Sequence, residues 1–135
     1  MGQQGYALTT KVDTEIVSAY AAAMQKVPAV ASGVGWFKVG SFFVPKTLSQ
    51  TRLEIIASVS AAGLTGTARL YDPTVGVDAP VSGSDVSFTG TDTARVLSGI
   101  IAVTGARTYF VLVQVVGATG ADKFGMFDTA TLVGP

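Results

Sequence analysis

Only Asp, Glu, Lys, Tyr, Ser and Thr could carry proton transfer or nucleophilic attack in this sequence, because it contains no Cys, His or Asn. Zinc sites built on His or Cys are therefore excluded, as are Cys nucleophiles, CxxC redox pairs and Ser-His-Asp triads. The missing Asn also excludes N-linked glycosylation. A glycosidase pair needs two carboxylates facing one cleft about 5 to 9.5 Å apart. The carboxylates available are Glu15, Glu54, Asp13, Asp72, Asp78, Asp85, Asp92, Asp122 and Asp128. Most of the aspartates fall at turn or cap positions, where Asp bonds its own backbone, so no catalytic residue is assigned and no enzyme is expected. Calcium favours carboxylates with backbone carbonyls, and Asp72, Asp78 and Asp85 bracket the loop DPTVGVDAPVSG. That loop lacks the acidic positions and terminal Glu of an EF-hand. Turn formation explains these aspartates as well, so neither a metal nor another cofactor is assigned.

Sugar recognition asks for exposed aromatic rings beside polar groups. Trp36, Tyr71 and Tyr109 are the candidates, set against ordinary core packing of large aromatic side chains. The segment GVGWFKVGSF has scattered glycines but neither GxGxxG nor a P-loop. Arg52, Arg69, Arg95 and Arg107 are interleaved with acids rather than gathered in a basic run, so nucleic acid is not an expected partner. The longest strongly apolar stretch, Tyr109 to Val116, is far shorter than the roughly 20 residues of a membrane-spanning helix. The N-terminal MGQQGYALTTKVD has no basic region followed by an apolar block, so no signal peptide is expected.

The elements that must position these residues read as one mainly β domain. Met1–Val12 reads as a polar arm with a candidate first strand over Tyr6–Val12. A helix is predicted over 13–27: Asp13 or Thr14 caps it, Ile16, Tyr20 and Met24 recur at helical spacing, the alanines favour it, and Pro28 stops it. From residue 34 to 135 the period changes to two. Trp36–Val44, Thr51–Ser60, Leu64–Tyr71, Val86–Phe88, Ala94–Val103, Arg107–Val116 and Phe124–Val133 read as strands. Inward positions are Leu53, Ile55, Ala57 and Val59, then Leu64, Ala68 and Leu70, then Leu97, Ile101 and Val103. In the last strand they are Phe124, Met126, Ala130 and Leu132, and Asp128 marks a bulge or pairs with an arginine. Thr-Gly recurs at 65–66, 89–90, 104–105 and 119–120; the last three precede or sit in turns between strands, and the recurrence is read as turn chemistry, since Gly takes positive φ without steric cost. About seven or eight strands with frequent turns predict an antiparallel β-sandwich of jelly-roll type, with one short N-terminal helix.

Three segments, TRLEIIASVSAAGLTGTARLYDP, TARVLSGIIAV and ARTYFVLVQVVGATGADKF, resemble those of small β-sandwich domains in bacteriophage virion proteins. The likeness covers about residues 50–133 and carries no catalytic or ligand motif, so it assigns no site residue. It implies a non-enzymatic structural subunit of a virion (a capsid decoration, head-fibre or tail-associated module), made in the host cytoplasm. Composition is compatible with such a role. Nine basic and nine acidic residues cancel, and only 13% of residues are charged, which gives little electrostatic protection against association. The expected partners are protein subunits, through self-association or a larger assembly. Ile56, Phe110 and Leu112 are the candidate contact residues, and the N-terminal arm could reach a neighbour. The alternative is a glycan-binding module for host attachment.

Overall fold

The computed structural model describes residues 20–31, 35–75 and 80–134, with side-chain detail throughout except at 20–24 and at residue 42. The strands are β1 (Tyr20–Val30), β2 (Phe37–Val44), β3 (Leu48–Val59), β4 (Thr65–Tyr71), β5 (Val86–Phe88), β6 (Ala94–Leu97), β7 (Ile101–Val103), β8 (Arg107–Val116) and β9 (Phe124–Val133). The hydrogen-bonded path runs β5-β4-β8-β1-β9-β3-β6, with β2 added on β8 and β7 on β3. This nearly closed, barrel-like sheet wraps one dry core. Mainly β architecture is as the sequence predicts. The pairing is antiparallel except where Ala29 and Val30 of β1 meet Val115 and Val116 of β8 in parallel.

The helix predicted over 13–27 is corrected for residues 20–27, which belong to β1. Residues 13–19 lie outside the described residues, as do the arm and the candidate strand over 6–12. Helix propensity separates Ala from the other ordinary residues by at most about 0.7 kcal/mol per residue, and ladder pairing overrides it here. Tyr20–Pro28 is paired with β9. The end of the segment already carries the period of two: Val27 and Ala29 are buried, Lys26 and Pro28 exposed.

The alternation of β3 and β4 places the core as expected. Leu53, Ile55, Ala57 and Val59 are buried, and so are Leu64, Ala68 and Leu70. From β8, Tyr109, Val111, Val113 and Val115 close over them. Two elements depart from prediction. The run 94–103 is broken into β6 and β7, and Leu97, expected inward, is 40% exposed. Ser98 turns in instead. The Leu53 amide donates to Ser98 Oγ at 2.9 Å, and the Ser98 amide donates to the Leu53 carbonyl at 2.8 Å. In β9 the expected inward pair Phe124 and Met126 is only half-buried, whereas Gly125 and Phe127 are buried. The β3 ladder steps from Ile56–Thr129 to Ala57–Phe127, and the β1 ladder also skips Asp128. Asp128 is thus a bulge residue. The extra residue shifts the parity, so that Phe127 and Ala130 both face the core.

The repeated Thr-Gly pairs do not share one turn role. Of their glycines, only Gly120 has positive φ. Gly66 lies within β4 because a side chain there would run into the Phe88 ring. At Gly105 the obstacle is the Lys46–Thr47 backbone. The positive φ of that turn, 58°, falls on Ala106.

Candidate functional site

Strands β2, β8 and β4 lie side by side, and their outward residues meet in register. Lys38 and Arg69 both oppose Leu112, one from each side. In the next row Ser41 and Tyr71 flank Phe110. Trp36 precedes β2, where the register Phe37–Val113 carries it toward Gln114. Because successive side chains of a strand point to opposite faces, these residues form one outer surface while Val111 and Val113 fill the core beneath.

The surface is held by stacked and charged contacts. Arg69 makes a two-pronged bond to Asp85: Nε donates to Oδ1 and Nη2 to Oδ2, both at 3.0 Å. This fork holds the guanidinium in a fixed plane. Its Cζ lies 4.0 Å from the Trp36 ring centroid, within cation–π range. Tyr71 stacks on Phe110, with centroids 6.2 Å apart and planes inclined at 19°. Lys38 Nζ sits 3.9 Å from the Phe110 centroid. A cavity of about 330 Å³ opens on this face, lined by Trp36, Arg69, Tyr71, Pro80 and Leu112. Rigid rings with a few oriented polar groups are what a small-molecule site requires. A planar apolar ligand face can lie on the aromatics while hydroxyls meet the polar rim.

The structure thus brings Trp36 and Tyr71 together and removes Tyr109. Tyr109 is 2% exposed and shares its side of β8 with Val111. Its hydroxyl accepts from the Thr104 amide at 2.8 Å and donates to the Thr104 carbonyl at 3.3 Å, so the side chain is core. The candidate calcium aspartates are engaged separately. Asp72 is buried, accepting from the Thr74 amide at 2.9 Å and from Arg107 Nη1 at 2.7 Å, while Asp85 is tied to Arg69. Asp78 lies outside the described residues. Among the described residues no group of three or more carboxylates is placed to hold a metal. Glu54 pairs with Arg95 at 3.0 Å, and Glu15 and Asp13 lie outside the described residues. Among the described residues no helix is long and apolar enough to cross a membrane.

The three proposed contact residues do not form one patch. Ile56 lies on β3 between Arg95 and Thr129, whereas Phe110 and Leu112 belong to the aromatic surface of β8. Sequence reasoning missed Lys38 and Asp85 as members of this surface and took Phe110 for a subunit contact. Arg69 and Tyr71 stand two residues apart in β4, opposite in parity to inward Ala68 and Leu70, so the same alternation that places the core puts them on one outer face. Asp85, however, reaches Arg69 from the residue just before β5, and a single strand's pattern carries no sign of that pairing.

No protein-family model matches the chain, and no curated protein matches it. Among solved structures, the fold is similar to that described as "Carbohydrate-Binding Module CBM36 in complex with calcium and xylotriose", with 14% identity and a TM-score of 0.49, over 88% of this chain and 95% of that one. A likeness this loose carries neither residues nor ligands across. The resemblance to bacteriophage virion proteins is corrected: no family model and no curated protein of that kind matches the chain. The segments that carried that resemblance are strands and turns of a general β architecture.

Proposed function

We propose that this chain is a non-catalytic carbohydrate-binding domain whose ligand lies across the outer surface of β2, β8 and β4. The observation that carries the reading is that Trp36 and Tyr71 line one open cavity together with Arg69, whose guanidinium is fixed between the indole ring and Asp85. Sugar rings present an apolar C–H face and a hydroxyl rim, and the surface offers aromatic planes beside fixed donors and acceptors. We also read the strand path as a flattened, jelly-roll-like sandwich, with β5, β4, β8 and β2 in one layer and β9, β3, β6 and β7 in the other. In that reading β1 passes between the layers, supported by its separate pairings to β8 and β9.

A glycan array followed by calorimetry tests the binding reading. A neutral or acidic oligosaccharide should bind the wild-type chain, and Trp36→Ala and Tyr71→Ala should each weaken it at least about tenfold, equivalent to about 1.4 kcal/mol. Both side chains are only half-buried, so the variants should keep their far-ultraviolet circular dichroism and most of their thermal stability. A folded wild-type sample with no array hits, or variants that bind as tightly as wild type, would overturn the proposal.

A further inference from the structure

Three charged side chains stand on the aromatic surface, and two of them answer each other. Arg69 spends its fork on Asp85. Lys38 is exposed, its Nζ rests over the Phe110 ring, and among the described residues no carboxylate forms an ion pair with it. Among the described residues the surface therefore carries one positive charge without a paired carboxylate, set beside the ring that also stacks on Tyr71. The register fixes where that charge lies. Lys38 and Arg69 flank Leu112 from opposite sides, two strand spacings or about 10 Å apart at the backbone. A ligand stacked on Tyr71 and Trp36 has the Lys38 ammonium at its β2 side and the Asp85 carboxylate at its β5 side.

We propose that the ligand is an acidic oligosaccharide, a chain containing uronic acid, whose carboxylate is received by Lys38. The inference rests on the reading of this surface as glycan-binding and adds the ligand's charge and orientation. The ammonium is held at the surface by the Phe110 ring and keeps donors free for a carboxylate, a charge-assisted bond stronger than one to a neutral hydroxyl. The Asp85 carboxylate repels the same group, so the sugar acid is directed away from β5 toward β2. Arg69 acts as a positioning residue: the fork to Asp85 neutralises its charge and fixes its plane against the indole.

The test compares uronate oligosaccharides with their methyl esters, which keep the ring and linkage and remove the charge. Calorimetry is done in chelator, so that no bridging cation carries the carboxylate. Wild type should bind the acid about five- to tenfold more tightly than the ester at low salt, with the preference shrinking near about 0.5 M NaCl. Lys38→Gln should bring the ratio close to one, and Lys38→Arg should retain the preference. Equal affinity of wild type for acid and ester, with both lost in Trp36→Ala, would remove the acidic-ligand inference and leave the glycan surface standing. A preference that survives in Lys38→Gln would also remove it. Failure of acid, ester and neutral glycans alike to bind would remove the surface reading itself.

Discussion

Asp72 and Asp85 are both paired with an arginine, but their depth differs. The Asp72 side chain is 8% exposed against 54% for Asp85. Asp72→Ala leaves Arg107 without its partner and the Thr74 amide without its acceptor. It should cost about 2 kcal/mol, the worth of bonds to a charged group, read as a lower urea midpoint with an unchanged slope. Asp85→Ala should cost less than about 1 kcal/mol, because exposed pairs contribute little. Its larger effect should fall on the Arg69–Trp36 stack, seen as a change in tryptophan fluorescence. A third residue-scale prediction concerns Ala106, whose φ of 58° suits glycine better than alanine. Ala106→Gly should stabilise by about 0.5–1 kcal/mol, after allowing for the greater freedom glycine gives the unfolded chain.

Strand β4 shows how a single small residue admits a neighbouring element. Gly66 lies under the Phe88 ring of β5, and the Val115 side chain would also meet a Cβ placed at Gly125. Gly66→Ala should cost about 1–3 kcal/mol, as overpacking does. Combining it with Phe88→Leu should recover part of that loss, a coupling measurable in a double-mutant cycle. Gly66 is therefore set by packing, a requirement that the alternation of its own strand does not display. The strands that were legible, Thr51–Ser60 and Leu64–Tyr71, each have one dry face, so their alternation is written in consecutive residues. What stayed hidden depends on partners elsewhere in the chain. The Ala-rich start of β1 carries a helical period that only pairing with β9 overrules. Asp128 shifts the parity of β9 through a bulge, and Ser98 displaces Leu97 by bonding to Leu53. At the site, Trp36 and Tyr71 were legible as outward aromatics. The Lys38–Leu112–Arg69 row was not, since register across strands is set by the whole sheet.

Across the molecule, stability should grade from the ends of the strand path toward its middle. Strands β3, β8 and β9 have partners on both sides, whereas β5 and β6 end the path. In hydrogen exchange the paired amides of Leu53–Val59 and Val111–Val115 should exchange most slowly, and those of Ala94–Leu97 among the fastest of the paired amides. Uniform protection across all the strands would contradict that gradient. The topology also has a temporal side. Strand β1 is the earliest described strand, yet its partners β8 and β9 are the last. A ribosome delivers β1 long before its partners exist, so the sheet cannot close until β8 and β9 have been made. Tyr20 lies opposite Ala130, so a permuted gene starting at Gly35 and carrying residues 1–34 after Pro135 would turn this distant ladder into a neighbouring one. Such a chain should refold faster in stopped-flow measurements, since shorter loops close at lower entropic cost.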